Sequence, residues 1–235
     1  MEAILLAGGK AERLGTAAGG HPKALVPVAG RPLAAYQVGL LVAFGVDRVI
    51  VSCSAGTEEA FASELSGLGA EIVPVAEPDP LGRGGGLRFA SAAREETGDL
   101  YALNGDELVD LDLGAMLARH RETGAVATIA VAPLRSPFGV VDLGEGDVVT
   151  GFREAPELPH WVSCGVYVLG EEAISRLPER GDHEDTTFPE LAREGSVRAF
   201  RHTGLWITVN TPKDLRRAEQ VISSEAALTL VGRLG

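Results

Sequence analysis

Short apolar segments alternate with helix-length segments through the first half of the chain, and this order constrains the fold more than any other feature. The apolar segments predict buried strands, because they are too short for helices and are followed by turn-forming residues. They cover residues 3–7, 48–52, 71–75 and 100–104. The segments between them predict helices over 32–44, 57–65 and 85–95. Such β-α-β alternation favours an α/β fold whose ligands bind at the carboxyl ends of the strands.

In the second half, the strand-like segments follow one another closely instead of alternating with helices. After a predicted helix over 112–122 come four closely spaced strand-like segments, AVATIAVA, FGVVDL, DVVTGF and VSCGVYVL, separated by Gly-rich turns. A last strand, GLWITV, leads into a helix over 212–221, with Thr211 or Asn210 as its N-cap and Pro212 in its first turn. We therefore predict a doubly wound, mainly parallel (Rossmann-like) mixed sheet with helices on both faces and a smaller second lobe.

This organisation predicts one domain over 1–235, made of halves 1–110 and 111–210 and a C-terminal helix and tail over 211–235. The partly apolar tail ISSEAALTLVG could pack on a neighbouring subunit or on its own core. The apolar stretch near the N-terminus is too short for a signal peptide or a membrane span, so we expect a cytoplasmic protein that does not bind membranes.

The net charge of −12 argues against nonspecific binding to nucleic acid or anionic lipid. A site for an anionic substrate must then concentrate its own positive charge or use a divalent cation. Cys53 and Cys164 lack the spacing of a metal site and are expected to be buried small hydrophobes, and the five histidines show no ligand spacing either.

The segment after the first strand, LLAGGKAERLGTAAGGHPKAL, breaks an apolar run with glycines and cations and holds two of the chain's three lysines. It is neither a P-loop nor a GxGxxG dinucleotide motif, because the spacing differs from both. Gly8 and Gly9 let backbone N–H groups approach an anion, and Lys10, Arg13 and Lys23 supply charge. The combination suits a triphosphate, and the alternative is a flexible surface turn.

Read with the residues that follow it, LAGGKAERLGTAAGGHPKALVPVAGRPL resembles LAGGxGxRLxPxTxxxPKxLxPVxGxPxL, the signature of the sugar-1-phosphate nucleotidyltransferases, or NDP-sugar pyrophosphorylases. Six later segments resemble the family in the same order: EPDPLGRGGGL, YALNGDELVDLDL, FGVVDL, GFREAP, SCGVYVL and WITVNTPKDLRRAE. The resemblance implies a nucleotide-binding first half, a sugar-binding second half and, since relatives often self-associate, a homodimer.

The resemblance also implies the reaction. A nucleoside monophosphate passes from an NTP to a sugar 1-phosphate, pyrophosphate is released, and the cofactor is Mg²⁺, with Mn²⁺ as the alternative ion. The leading hypothesis is GTP with mannose 1-phosphate or a related hexose or heptose phosphate. The alternatives are a glucose-1-phosphate thymidylyl- or uridylyltransferase, a molybdenum-cofactor guanylyltransferase, and a regulatory subunit that binds nucleotide sugars without catalysis.

Matching positions give the candidate site residues. The catalytic residues are Arg13, Lys23 and Asp106. The nucleotide contacts are Leu6, Ala7, Gly8, Gly9, Lys10, Glu77, Gly82 and Gly105. The sugar-phosphate contacts are Gly139, Arg153, Glu154, Gly165 and Glu184, and the metal ligands are Asp106 and Asn210. The alternatives are a solvated charge for Glu77, a solvated turn for Glu184 and a helix-start residue for Asn210.

Three departures from the family pattern bear on this site. Ala11 and Glu12 replace the loop Gly and the Thr or Ser that follows it, so the local geometry could differ. Ala155 replaces a lysine that relatives aim at the sugar phosphate. Because strand side chains alternate, Arg153 would share a face with position 155, and we predict that Arg153, or else Arg83, supplies the missing cation.

The third departure lies in the last strand. Thr208 stands where many relatives carry a second metal-binding aspartate. Asn210 instead resembles the VNN or VNT form of the N-acetylglucosamine-1-phosphate uridylyltransferases, in which an asparagine oxygen contacts the metal, so the resemblance implies that the amide oxygen of Asn210 takes this role.

Overall fold

A seven-stranded mixed sheet organises the computed structural model, which describes residues 1–224. The strands are β1 (Glu2–Leu6), β2 (Pro27–Val28), β3 (Arg31–Pro32), β4 (Arg48–Ser54), β5 (Glu71–Glu77), β6 (Leu100–Asn104), β7 (Glu107–Val109), β8 (Ala127–Arg135), β9 (Val140–Leu143), β10 (Val149–Arg153), β11 (Glu157–Leu169), β12 (Val197–Arg201) and β13 (Trp206–Thr208). The helices are α1 (Leu33–Ala43), α2 (Glu58–Glu64), α3 (Gly82–Ser91), α4 (Leu113–Thr123), α5 (Glu171–Ser175), α6 (Thr187–Arg193) and α7 (Pro212–Ile222).

The predicted sheet is confirmed. Its strand order is β12-β8-β11-β6-β1-β4-β5, and β5, β4, β1 and β6 run parallel. The sheet is mixed in its second half, as predicted. Strand β11 pairs antiparallel with both β6 and β8, and β12 pairs parallel with β8. Strand order reverses between β1 and β6, and the crevice beyond their carboxyl ends is where an open α/β sheet binds its ligand.

Buried side chains lie on both faces of this sheet. Leu5 and Val51 point into one core, which also contains Val38 of α1 and Met116 of α4. The neighbouring Ile4 and Ile50 point into a second core, with Leu87 of α3, Ala173 of α5 and Leu191 of α6. Alternation along β1 and β4 therefore requires helices on both faces, as the sequence predicts. Cys53 and Cys164 are fully buried, as expected.

Several element boundaries differ from the sequence prediction. The segment after β1 is not a simple loop, since 3₁₀ turns cover Glu12–Ala18 and Lys23–Leu25. Helix α3 begins at Gly82 rather than at 85, because the N–H groups of Gly84 and Gly85 bond to the carbonyl of Gly181 at its first turn. Strands β7 and β12 and the short helices α5 and α6 were not predicted, because they are too short or too exposed to show a period.

Strands β9 and β10 form a separate antiparallel ribbon. Cross-strand partners share a face, so Val141 and Phe152 lie together on one side with Leu143 and Val149, and all four are exposed. The opposite side carries Asp142 and Arg153, which form an ion pair. The ribbon is therefore amphipathic, with an uncovered apolar face in the described part of the chain.

Within residues 1–224, no helix combines the length and the apolarity that crossing a bilayer requires. The tail that could pack on a neighbour or on its own core lies outside the described residues from residue 225 onwards, so that prediction stays open.

Candidate active site

A cavity of about 920 Å³ opens at the carboxyl ends of β1 and β6. Every residue predicted from the sequence to be catalytic, to contact the nucleotide or to bind the metal lines this cavity: Leu6, Ala7, Gly8, Gly9, Lys10, Arg13, Lys23, Glu77, Gly82, Gly105, Asp106 and Asn210. The side chains come from separate turns of the chain. The parallel topology brings them together, since β1, β5 and β6 all end at this edge.

Backbone contacts hold the turn after β6 against β1. The Gly105 N–H donates to the carbonyl of Leu6 at 2.7 Å, and the Ala7 N–H donates to the carbonyl of Ser52 at the same distance. A Cβ on Gly105 would lie 2.5 Å from the Leu6 oxygen and 3.0 Å from the Ala24 methyl group. Only glycine allows this approach, and the approach places Asp106 at the cavity.

Lys23, Asp106 and Asn210 meet at one point. The Lys23 Nζ donates to Asp106 Oδ2 at 2.5 Å and to Asn210 Oδ1 at 2.6 Å. Arg13 Nη2 donates to the same Asn210 oxygen at 2.7 Å. The side chains of Arg13 and Lys23, from the segment after β1, therefore meet the Asp106 carboxylate after β6 and the Asn210 amide oxygen after β13.

Asn210 is not the cap of α7. Thr211 takes that role: its side chain accepts the N–H of Asp214, and the Asp214 carboxylate accepts the Thr211 N–H at 2.8 Å. This capping box satisfies the first turn of the helix. The Asn210 amide is thereby left to the cavity, and of the two N-cap residues that the sequence offers, Thr211 is the correct one.

The Asp106 carboxylate and the Asn210 amide oxygen are the donors that a metal would find here. Both are hard oxygen ligands of the type Mg²⁺ prefers, and both already converge on one cation, the Lys23 ammonium. In the described part of the chain, no cluster of three or more His, Cys, Asp and Glu side chains could hold a metal. These two residues would share an ion with phosphate oxygens and water.

Glu107 is a carboxylate of the cavity wall that the sequence did not single out. It is 5% exposed, and its Oε2 accepts Trp206 Nε1 at 2.7 Å and Thr208 Oγ1 at 2.8 Å. Burial, followed by the negative charge of Asp106, raises the pKa of Glu107 to about 8. The sequence around Glu107 gives no sign of this role, because the residues that bond to its carboxylate, Trp206 and Thr208, lie about a hundred positions further along the chain.

Glu77 is tied into the site and is not a solvated charge. Its Oε1 accepts the Ser52 hydroxyl at 2.7 Å, and its Oε2 accepts the Leu81 N–H at 3.0 Å. A Cβ on Gly8 would lie 3.3 Å from Oε1, so the carboxylate lies beside the glycine turn. Glu77 therefore links the end of β5 to the start of α3 and presents acceptor atoms at the cavity.

The residues expected to contact the sugar are more dispersed. Gly165 lies against the cavity wall, with φ +70°, and a Cβ there would lie 2.7 Å from Asn104 Nδ2 and 3.0 Å from Glu107 Cγ. Gly139 and Glu154 lie beside the β9–β10 ribbon, where a Cβ on Gly139 would come 3.1 Å from Glu154 Oε2. Neither of these two lines the cavity among the described residues.

Glu184 is paired and partly buried, which contradicts the alternative of a solvated turn. Arg83 Nη1 lies 2.9 Å from Glu184 Oε1, and Arg83 Nη2 lies 2.8 Å from Asp182 Oδ2. Burial raises the pKa of Glu184. Arg83 and Asp182 line the cavity, so this cluster joins the start of α3 to the loop before α6.

The argument that places Arg153 on the face of residue 155 is wrong. Strand β10 ends at Arg153, and Ala155 has φ +44°, so strand alternation does not extend to it. Arg153 instead pairs with Asp142 at 2.9 Å on the polar side of the ribbon, outside the cavity lining. Of the two cations predicted to replace the missing lysine, Arg83 is the one that reaches the cavity.

His183 lies beneath this wall with no exposed surface. Its ring contacts Tyr167 and Phe188 edge to face, with centroids 5.1 and 4.7 Å away, and neither ring nitrogen has a hydrogen-bond partner within residues 1–224. Burial lowers the pKa of His183 to about 4. The neutral imidazole therefore packs as an aromatic group, and its 3.5 Å approach to Glu184 is not an ion pair at neutral pH.

Most of the chain aligns with proteins that are named mannose-1-phosphate guanylyltransferases. It is 32% identical over 228 residues to mannose-1-phosphate guanylyltransferase of Mycobacterium tuberculosis, with 92% of this chain and 63% of that protein covered. It is 30% identical over 224 residues to mannose-1-phosphate guanylyltransferase catalytic subunit beta of Xenopus tropicalis, with 91% and 62% covered. The chain thus spans about three fifths of the length of these relatives.

The fold has solved counterparts. The crystal structure of HddC from Yersinia pseudotuberculosis superimposes with a TM-score of 0.75, and the match covers 94% of this chain and 99% of that one at 23% identity. The family profile described as nucleotidyl transferase matches residues 2–225, almost the whole sequence. With the glycine turn, the two cations and the strand-end aspartate around one cavity, the chain belongs to the nucleotidyl transferase family.

Proposed function

We propose that this protein transfers GMP from GTP to mannose 1-phosphate, or to a closely related hexose or heptose 1-phosphate, and releases pyrophosphate. The observation that carries the proposal is the convergence of Arg13, Lys23 and Asp106 on one cavity beside the Gly8-Gly9 turn. The relatives that are named mannose-1-phosphate guanylyltransferases support the choice of substrates.

The reaction needs alignment and charge rather than a protein nucleophile. An oxygen of the sugar phosphate forms a bond to the α-phosphorus while the bond from that phosphorus to the bridging oxygen of the β-phosphate breaks. Pyrophosphate leaves with the electron pair, and the attacking oxygen is already ionised. Arg13 can grip phosphate oxygens with two N–H groups, and Lys23 offers a compact charge. Both stabilise negative charge on the transferred group.

A divalent cation fits the donor set. Asp106 and Asn210 would hold Mg²⁺, or Mn²⁺ as the alternative, through one carboxylate and one amide oxygen, both of which face the same cation in this structure. The ion supplies further neutralisation of the phosphate charge when it is bound.

Glu77 supports a guanine base. Its carboxylate offers acceptors beside Gly8, where the base and ribose are expected. Guanine presents N1–H and N2–H₂ donors on its Watson–Crick edge, which a carboxylate can accept together, whereas uracil and thymine present a single N–H between two carbonyl groups.

The remaining assignments concern the sugar. We propose that its hydroxyl groups contact Gly165 and Glu184 beside the cavity and reach Gly139 and Glu154 at the β9–β10 ribbon, outside the cavity lining, and that its phosphate contacts Arg83. Arg83 lines the cavity, which supports this assignment, although its charge is shared with Asp182 and Glu184.

We further propose that the protein works in the cytoplasm as a homodimer. The proposed substrates, a nucleoside triphosphate and a sugar phosphate, support the cytoplasm as the compartment. The uncovered apolar face of the β9–β10 ribbon, where Phe152 is 65% exposed, supports self-association. Sedimentation of the wild type and of Phe152→Ser tests the dimer.

The reaction is tested by a pyrophosphate-release assay with Mg²⁺, all four NTPs and dTTP, and a panel of sugar 1-phosphates. GTP with mannose 1-phosphate or a related sugar should give the highest kcat/KM. A preference for dTTP or UTP with glucose 1-phosphate would favour a thymidylyl- or uridylyltransferase. A parallel assay with GTP and the molybdenum cofactor as acceptor tests the molybdenum-cofactor guanylyltransferase, which turnover with that acceptor alone would favour. Saturable binding of a nucleotide sugar without turnover would identify a regulatory subunit.

A further inference from the structure

The side chain of Glu107 joins two strands that end at the active site. Strand β7, which contains Glu107, pairs antiparallel with β13 in the register Trp206 to Val109, Ile207 to Leu108 and Thr208 to Glu107. Both hydrogen-bond donors to Glu107 Oε2, the Trp206 indole and the Thr208 hydroxyl, come from β13. One carboxylate oxygen therefore bonds to two side chains of the partner strand.

This strand pair is small and stands apart from the main sheet. It has three residues on each side, and two-stranded ribbons of that size are marginal without further contacts. A slip of one residue would turn every side chain of β13 to the opposite face. The buried Glu107 carboxylate opposes such a slip at the end of the ribbon that is next to the cavity.

The residues at that end are the two candidate metal ligands. Asp106 immediately precedes Glu107, and Asn210 follows Thr208 by two residues. The Val209 N–H donates to the Asp106 carbonyl at 2.8 Å, which continues the pairing to the cavity. The relative position of the Asp106 and Asn210 oxygens therefore depends on how β13 is held against β7.

We propose that Glu107 is a positioning residue: its carboxylate fixes β13 so that the Asn210 amide oxygen faces the Asp106 carboxylate. Neighbours that orient metal ligands commonly contribute about tenfold or more to metal affinity. This inference rests on the proposed function only in treating Asp106 and Asn210 as metal ligands, so its test does not require turnover.

The test titrates inorganic tripolyphosphate, with and without Mn²⁺, into the wild type, Glu107→Ala and Glu107→Gln, by calorimetry. The probe contains no base or sugar. The dissociation constant of tripolyphosphate without Mn²⁺, divided by the constant with Mn²⁺, isolates the contribution of the metal, and we call this quotient the metal ratio. Glu107→Ala should lower that ratio by about tenfold. Glu107→Gln keeps an oxygen that can accept from both donors, and it should restore the ratio to within about twofold of the wild type.

Glu2→Ala is the matched control. Glu2 is also a buried carboxylate with several partners, Arg48 Nη1 and the N–H groups of Glu95 and Glu96, but it lies at the opposite end of β1 from the cavity. It should reduce stability without changing the metal ratio. If Glu107→Ala does not fold, Thr208→Val, which removes one donor, should lower the ratio by a smaller factor.

The proposal would be overturned if Glu107→Ala had the same metal ratio as the wild type. Thr208→Val decides in the same way if the Ala variant does not fold. A Gln variant as impaired as the Ala variant would also overturn the proposal, because the hydrogen bonds that the side-chain oxygen of residue 107 accepts would then not account for the effect. If the proposed reaction is wrong, no variant will turn over GTP with a sugar phosphate, yet the metal ratios will still fall in the predicted order.

Discussion

The ammonium of Lys23 lies 2.5 Å from the Asp106 carboxylate, so a cation of the segment after β1 is held by the aspartate that follows β6. The same ammonium bonds to Asn210 Oδ1, the second oxygen of the candidate metal site. In this arrangement the lysine neutralises the donors that a divalent cation would use. On the metal site proposed above, a divalent cation and Lys23 would therefore compete for these oxygens until phosphate groups offer the lysine another partner.

This competition predicts an unusual effect of Lys23→Met. Without nucleotide, the variant should bind Mn²⁺ more tightly than the wild type, because the internal cation is gone, while its kcat should fall by about 100-fold or more. Electron paramagnetic resonance of free Mn²⁺ measures the affinity. Lys213→Met removes an exposed lysine in the first turn of α7 and serves as the control. Equal Mn²⁺ affinity in wild type and Lys23→Met would show that the lysine does not occupy the metal position.

Asp106→Asn should reduce kcat by about 100-fold or more, because the variant loses the only carboxylate within residues 1–224 that pairs with Lys23, and because it would offer a metal a neutral oxygen in place of a charged one. The amide keeps a hydrogen-bond acceptor, so the thermal midpoint should stay close to that of the wild type. Asp142→Asn, which breaks the ion pair with Arg153 on the exposed ribbon, is the control and should retain activity. Near-normal turnover of Asp106→Asn would contradict the role assigned to this aspartate.

Glu77→Gln should weaken discrimination for guanine. The amide can accept only one of the two N–H groups that the carboxylate can accept, so kcat/KM for GTP should fall by about tenfold or more relative to that for UTP. Steady-state kinetics with both nucleotides measure the ratio. Glu71→Gln, at the opposite end of β5 in an ion pair with Arg48, should leave the ratio unchanged. If Glu77→Gln left the ratio of kcat/KM for GTP to that for UTP unchanged, Glu77 would not recognise the base, and its role would be limited to connecting β5 to α3.

The parts of the fold that the sequence predicts are those with a strong local signal. Strands β1, β4, β5 and β6 are buried apolar runs between helix-length segments, and their parallel order brings Arg13, Lys23 and Asp106 to one edge. Strand β12, with the sequence VRAFR, was missed because its residues are mostly exposed and charged residues interrupt the apolar ones.

Tertiary contacts explain the remaining failures. Nothing near Glu107 in the sequence reveals the indole and hydroxyl donors, which lie 99 and 101 residues away. The assignment of Arg153 failed for a local reason, since a left-handed residue at 155 ends the alternation that the argument required. The role of Arg83 depends on Asp182 and Glu184, a loop that approaches α3 only in the folded protein.

The buried His183 should make the protein less stable in acid. Because its pKa is lowered to about 4 in the folded state, against an ordinary value of about 6.5, the unfolded chain binds a proton more readily over this range. The contribution of His183 to stability is therefore fully present above about pH 6.5 and is lost as the pH falls towards 4. Between pH 7 and pH 5 the loss should be about 2 kcal/mol.

His183→Phe tests this directly. The ring already packs between Tyr167 and Phe188, and its nitrogens have no hydrogen-bond partner in the described part of the chain, so phenylalanine keeps the aromatic contacts and removes the titration. Urea unfolding at pH 7 and pH 5 measures the change in the free energy of unfolding. The variant should lose about 2 kcal/mol less than the wild type between these two pH values, whereas His160→Phe, at an exposed position of β11, should behave like the wild type. A wild-type acid response in His183→Phe would mean that other groups carry the pH dependence.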